Sequence, residues 1–149
     1  MTIKRIMHAS DFSKASGAAF RLARGLAKVL RAELVVCHAY NPVPAIAAGE
    51  GYVAPGVVDQ IWTAARRNGR RKLDRLAAGA RRDRLRVSTM LLEGAPAAAI
   101  VAAAQRRRAG LLVLGTHGRT GLRRMLLGSV AERVVRTARC PVLTVGPGA

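Results

Sequence analysis

Residues 111–130 read Leu111-Leu-Val-Leu-Gly115-Thr-His-Gly118-Arg-Thr-Gly-Leu-Arg-Arg-Met-Leu-Leu-Gly128-Ser129-Val130. An unbroken apolar run comes first, a glycine-rich stretch follows, and a Gly-Ser pair stands in front of a helical pattern. A strand that is apolar at every position belongs to a sheet covered on both faces, which is the environment of parallel strands. The glycines let a backbone come close to an anion, and the first turn of a helix offers unpaired N–H groups with a favourable dipole. The stretch therefore reads as the end of a buried parallel strand opening into an anion-binding loop. It is neither a P-loop, having no Lys-Ser/Thr after its last glycine, nor a GxGxxG dinucleotide loop. Its pattern is Gly115-x2-Gly118-x9-Gly128-Ser129.

The same strand–helix alternation extends in both directions. Strands are predicted at Ile3–Met7, Glu33–Ala39, Arg86–Leu92, Leu111–Gly115 and Pro141–Val145. Between the first two, Ala15, Ala18, Ala19, Leu22, Leu26 and Leu30 recur at helical spacing, with Lys14, Arg21, Arg24, Lys28 and Arg31 opposite. A second helix shows Val58, Ile61, Ala65, Gly69, Leu73, Leu76 and Ala80 on one face and Arg66, Arg67, Arg70, Arg71 and Arg75 on the other. A third begins near Pro96, which suits a first turn, and ends around Arg108 before Gly110. The fourth starts at Gly128-Ser129 and is expected to turn Val130, Val134, Val135 and Ala138 inward. Asn41–Gly56, rich in Pro, Gly and Ala, reads as a flap over one end of the sheet. The expectation is one doubly wound parallel α/β domain over residues 1–149, with no internal repeat.

The chain has 149 residues, enough for one domain with a proper core. Aromatic residues make up only 3%, so that core must be built from Ala, Val, Leu and Ile. No apolar stretch approaches the ~20 residues of a membrane-spanning helix, and no signal peptide is evident, so a cytoplasmic protein is expected. Cys37 and Cys140 fit no metal-ligand spacing and are expected to be reduced, buried thiols. The charge is extreme: 26 Lys plus Arg against 8 Asp plus Glu, a net of +18. Only Lys4, Lys14, Lys28 and Lys72 are lysines, so nearly all of the positive charge is arginine, which no accessible pH removes.

In open α/β sheets ligands bind at the carboxyl ends of strands where the strand order reverses. If the first and fourth strands are neighbours, Ser10-Asp11-Phe12-Ser13 meets the glycine loop there, and Asp11 can accept hydrogen bonds from a ribose hydroxyl or a base amino group. Asp11 could equally cap the first helix. His8 and His38 read as satisfied core histidines, and His117 as a loop residue that packs or caps locally. Glu132 and Arg136 are spaced for a surface ion pair.

On these motifs the chain resembles the universal stress protein family over essentially its whole length. Gly115, Gly118, Gly128 and Ser129 satisfy the G-x2-G-x9-G-[S/T] pattern of the family's ATP-binding branch. Ser10-Asp11-Phe12-Ser13, Glu93-Gly94-x-Pro96 and the closing Cys-Pro-Val-Leu-Thr-Val look like its other signatures. The resemblance implies a five-stranded parallel sheet of order 3-2-1-4-5 with helices on both faces. It implies ATP as ligand, with a divalent ion such as Mg2+ or Mn2+ carried by the phosphates rather than by a protein metal site. Asp11 and Ala39 would lie beside adenine and ribose, with Leu114 and Gly115 on the ribose side. Gly118, Gly128, Ser129 and Val130 would hold phosphates, with Arg119, Arg123 and Arg124 as further charge contacts. It also implies a homodimer through the last strand.

Three functions follow from this reading: an ATP-dependent binding module in a stress response, a slow ATPase or phosphoryl-transfer enzyme, and a protein that associates with nucleic acid or another polyanion. No P-loop lysine, acidic metal-binding pair or clear general base supports efficient catalysis, and no catalytic residue is assigned. The arginines of the second helix include like-charge pairs at i,i+4, namely Arg66/Arg70, Arg67/Arg71 and Arg71/Arg75, each destabilising by roughly 0.2–0.5 kcal/mol. They form either a solvated face or a surface for a polyanion or a membrane. Aromatic stacking platforms are nearly absent, so sequence-specific nucleic-acid recognition is not expected.

Overall fold

The computed structural model describes residues 2–41, 55–116 and 127–146. The elements run β1 (Arg5–Ala9), α1 (Lys14–Val29), β2 (Glu33–Tyr40), α2 (Pro55–Arg81), β3 (Val87–Glu93), α3 (Pro96–Arg106), β4 (Leu111–Gly115), α4 (Ser129–Thr137) and β5 (Val142–Val145). The five strands form one parallel sheet of order β3-β2-β1-β4-β5. This is the expected α/β architecture.

Strand pleating divides the core into two layers. Ile6, Leu34, Val36 and Val113 point to one face, where Ala19, Ala23 and Ala27 of α1 and Leu73 and Ala80 of α2 cover them. Met7, Val35, Leu112 and Leu114 point to the other, under Ile100 and Ala103 of α3 and Ala131 and Val134 of α4. Alternate residues of one strand go to opposite faces, so the central stretches of β1, β2 and β4 bury side chains on both faces. The helices contribute mostly alanine, which brings their backbones close to the sheet with little side-chain entropy to lose. Each fully buried Val, Leu or Ile on the strands contributes about 1.5–3 kcal/mol.

Several boundaries and faces differ from the sequence reading. β1 starts and ends two residues later than Ile3–Met7, because His8 and Ala9 continue the ladder opposite Val36 and Cys37. β2 and β3 extend to Tyr40 and Glu93, which pair with each other, and β3 and β5 begin one residue later than expected. Leu22 and Leu30 of α1 are exposed, and Phe20 and Ala23 take the buried stripe instead. On α2, Gly69, Leu73, Ala77 and Ala80 are buried, but Ile61 is exposed, since the sheet supports only the later turns. On α4 the inward residues are Ala131 and Val134; Val130 and Val135 are exposed. The region read as a flap, Asn41–Gly56, is helical from Pro55, and residues 42–54 lie outside the described residues.

The helix ends are closed by backbone geometry. The N–H groups of Arg31 and Ala32 return to the carbonyls of Lys28 and Ala27, and those of Arg108 and Ala109 to Gln105 and Ala104. These are Schellman turns, with Arg31 (φ 53°) and Arg108 (φ 49°) in the left-handed position that glycine usually fills. Gly110, expected to stop α3, instead lies against the Ile3 backbone and donates to the Arg5 carbonyl at 2.9 Å. Cys37 is buried and free, and burial pushes its thiol pKa up to about 12. Cys140 is also free but only half-buried, contrary to expectation. Among the described residues no helix is long and apolar enough to cross a membrane.

Candidate functional site

The order β3-β2-β1-β4-β5 places the reversal of chain direction across the sheet between β1 and β4, with Ala9 opposite Leu114. Open α/β sheets bind ligands at such a switch point, and here the turn after β1 and the described residues that follow β4, Thr116 and Gly128, adjoin it. The turn is built from hydroxyls. Ser13 is the N-cap of α1, its Oγ accepting the Ser16 N–H at 3.2 Å. Asp11 is therefore not the cap. It holds the cap, because Asp11 Oδ1 accepts both the Ser13 N–H (3.0 Å) and the Ser13 hydroxyl (2.6 Å). Buried Ser10 bonds Ser16 between hydroxyls at 2.9 Å, and its Oγ accepts the Phe12 N–H at 3.2 Å. Below it, the Ser10 N–H donates to the Cys37 carbonyl and the Ser10 carbonyl accepts from His38 Nδ1 at 2.7 Å. His38 thus ties the turn to β2.

Gly115 ends β4 directly beneath this turn. A Cβ added there would lie 3.1 Å from the Ala15 carbonyl carbon and 3.1 Å from the Ser16 nitrogen. Those are backbone atoms of the first turn of α1, so the missing side chain lets α1 and the Asp11 turn seat on β4. The Thr116 N–H then donates to the Val145 carbonyl (2.9 Å), and the Thr116 carbonyl accepts the Gly128 N–H (2.7 Å). The segment after β4 leaves and returns at one point, and α4 starts there. Gly128 is the N-cap of α4 with an extended backbone, and no side chain caps the helix. Ser129 and Val130 in the first turn are exposed. The exposure of Val130 excludes it from the core and suits a contact made through its backbone N–H.

Of the expected site residues, Asp11, Leu114, Gly115, Gly128, Ser129 and Val130 are gathered around the β1/β4 switch point. Ala39 lies one strand away near the carboxyl end of β2, packed with the layer under α3 and α4. Gly118, Arg119, Arg123, Arg124 and His117 lie outside the described residues. His8 is fully buried, packs 5.5 Å from the Phe20 ring, and bonds the Val113 carbonyl through Nδ1 at 3.1 Å. Loss of hydration lowers its pKa to about 4, against smaller opposing effects of that hydrogen bond and of Asp11. It is a neutral core histidine, as expected, but only half satisfied, since its buried Nε2 has no hydrogen-bond partner among the described residues.

The arginines are better paired than the sequence suggested. Arg24 pairs with Asp83, Arg107 with Glu33 and Ser88, and Arg136 with Glu132 at the expected i,i+4 spacing. Arg66, read as part of a solvated or polyanion-facing stripe, donates to Tyr40 Oη (3.1 Å) and Glu93 Oε2 (3.2 Å). Those bonds, Tyr40 first, raise the guanidinium pKa further. The Ser10–Ser16–His38 network and the Arg66–Tyr40–Glu93 group went unseen in the sequence. The one available signal was polar residues at strand ends, and it names no partner. Among the described residues no group of three or more His, Cys, Asp and Glu side chains could hold a metal ion.

A family model described as the universal stress protein family matches residues 2–146. Universal stress protein MJ0531 of Methanocaldococcus jannaschii is 37% identical over 142 residues, covering 95% of this chain and 81% of that protein. The solved structure of protein MJ0577, from the same organism, superposes with a TM-score of 0.86 at 21% identity, over 98% of this chain and 97% of that one, a likeness of fold. A universal stress protein solved in complex with cAMP superposes with a TM-score of 0.68 at 25% identity, over 99% of both chains.

Proposed function

This chain belongs to the universal stress protein family, and on that premise we propose that it is a nucleotide-dependent binding module whose ligand is ATP. The observation that supports the reading is the pairing of β1 with β4, which sets the Asp11 turn at the end of β4, together with Gly128, which bonds Thr116 just past that end and leaves the first helical N–H groups of α4 uncapped by any side chain. That terminus suits phosphates, and the Gly118 pattern and the Ser129 hydroxyl would add donors. The adenine and ribose would lie toward Asp11, Ala39, Leu114 and Gly115. A related protein's complex with cAMP supports an adenine nucleotide as the ligand class. Mg2+ or Mn2+ would travel with the phosphates. We assign the protein to the cytoplasm, as a single domain that dimerises through the edge strand β5. Occupancy by ATP would change which partner the module engages under stress. Hydrolysis is not assigned, since the residues at the site offer hydrogen bonds to phosphate but no evident proton-transfer pair.

Calorimetric titration of ATP into the wild type and into Gly118→Ala and Gly128→Ala tests this. Sub-millimolar binding is expected, weakened about tenfold or more in each variant as charge-assisted bonds to phosphate are lost. Binding unchanged in both variants would overturn the assignment of the phosphates. Phosphate release above that of the variants would move the protein to the enzyme reading.

A further inference from the structure

A second site lies on the other face of the sheet. Along β2, Ala39 packs into the layer under α3 and α4, and the next residue, Tyr40, turns toward α2. There Tyr40, Glu93 and the side chains of α2 enclose an open cleft of about 510 Å³, with Leu91 as its apolar wall. Its size is that of a small-molecule site.

The charges in the cleft do not cancel. Glu93 accepts the Tyr40 hydroxyl at 2.9 Å and Arg66 at 3.2 Å, while Arg66 also donates to Tyr40 at 3.1 Å. That closed triangle neutralises the one carboxylate and fixes Arg66 and the Tyr40 ring. Arg67 and Arg70 line the same cleft with their charges uncompensated. Arg70 has a long 3.5 Å contact to Thr89 Oγ1, and Arg67 has no hydrogen-bonded or ion-paired partner among the described residues. Being three residues apart on a helix, their guanidiniums share a face. Thr63, one turn before Arg67, adds a hydroxyl.

We infer that this cleft binds a phosphomonoester dianion carried on a small organic molecule. Two unpaired guanidiniums match two negative charges, and guanidinium forks match phosphate oxygens geometrically. The wall of Leu91 and the Tyr40 ring receives the organic part. A phosphodiester or sulfate ester, with one charge, leaves one guanidinium uncompensated. The site is separate from the nucleotide crevice, which lies at β1/β4 and toward the Ala39 face.

The probe is phenyl phosphate, titrated calorimetrically into the full chain, with phenyl sulfate as the monoanion of the same shape. At pH 7.5 phenyl phosphate is expected to bind about tenfold or more tightly than phenyl sulfate. Its affinity should fall about tenfold on going to pH 5, as the second phosphate proton is taken up near pH 6. Phenyl sulfate should show no such fall. Arg67→Gln and Arg70→Gln should each weaken phenyl phosphate about tenfold without lowering Tm, since both side chains are exposed. Equal affinity for the two esters overturns the inference by reducing the cleft to general electrostatics. Unchanged binding in the double variant overturns it by placing the probe elsewhere on the protein.

Discussion

Acidification should destabilise this fold through His8. Its ring is fully buried between β1, β4 and Phe20, and its pKa falls from 6.5 to about 4 on folding, chiefly because burial strips hydration from the charged form. The unfolded chain therefore binds more protons than the native one between pH 6.5 and 4, and stability must fall as pH falls through that window. The contribution is fully present above pH 6.5. At pH 4.5 the unfolded imidazole is almost wholly protonated and the folded one mostly neutral, which makes the loss on the order of 2–3 kcal/mol relative to pH 7.5. Urea titrations of wild type and His8→Leu at both pH values isolate the effect. His8→Leu gives up the 3.1 Å bond to the Val113 carbonyl, so it starts from lower stability at pH 7.5. Between pH 7.5 and 4.5, however, it should lose on the order of 2–3 kcal/mol less than the wild type. With a urea m-value of about 1–3 kcal/mol/M, that difference moves the midpoint by roughly 1 M or more. Parallel losses in the two proteins would refute the assignment and move the acid sensitivity to other groups.

Gly115→Ala should destabilise the fold by about 1–3 kcal/mol in urea titration, because the new Cβ meets the α1 backbone at 3.1 Å rather than a side chain that can turn away. Unchanged stability with weakened ATP binding would instead make Gly115 a ligand contact only. Thiol labelling of the native protein should modify Cys140, half-buried, and spare Cys37, buried with a pKa near 12; both should react in denaturant. Two fast equivalents from native protein would contradict the burial of β2.

The parts of the fold legible in the sequence were those where one local pattern admits one structure. Leu111–Gly115 was found with its boundaries intact because a strand covered on both faces leaves no polar residue to confuse its ends. β1 was displaced because His8 looks like the end of an apolar run, although a single bond to Val113 makes it a core residue. α4 was phased by its valines, yet in nine residues Ala131 and Val134 suffice to seat it. The start of that helix at Gly128-Ser129, and the pairing of β1 with β4 that sets the Asp11 turn at the end of β4, followed from glycine spacing and strand order. The groups that required two distant segments were not legible. Tyr40 and Glu93 are 53 residues apart, and nothing in either neighbourhood names the other. Ser10 and His38, 28 apart, are joined only once β1 lies beside β2. Pairing register creates both sites, and register is a property of the sheet rather than of any segment.

Among the described residues, four that are not glycine hold a positive φ, and they divide into two kinds. Arg31 and Arg108 close helices in Schellman turns, and Arg84 follows the end of α2 with its N–H on the Arg81 carbonyl. Each carries roughly 1–2 kcal/mol of left-handed strain that glycine would avoid, recovered by backbone bonds that any residue could make. Phe12, at φ 64°, is different, because its conformation is enforced by side chains. Its N–H is taken by Ser10 Oγ, its ring lies 4.5 Å from the His38 ring, and Lys72 Nζ sits 5.2 Å over its face. Three separate elements thus hold one bulky residue in a region of backbone space it would otherwise leave, a strain of about 1–3 kcal/mol. The product of that strain is the reversal that turns the chain from β1 into α1 with Asp11 at the crevice and Ser13 on the helix. Helix-end strain is incidental to the fold, whereas the strain at Phe12 is concentrated where the ligand would bind. His38 therefore acts on the proposed nucleotide site from beneath, as the residue that holds both the Ser10 carbonyl and the Phe12 ring in place.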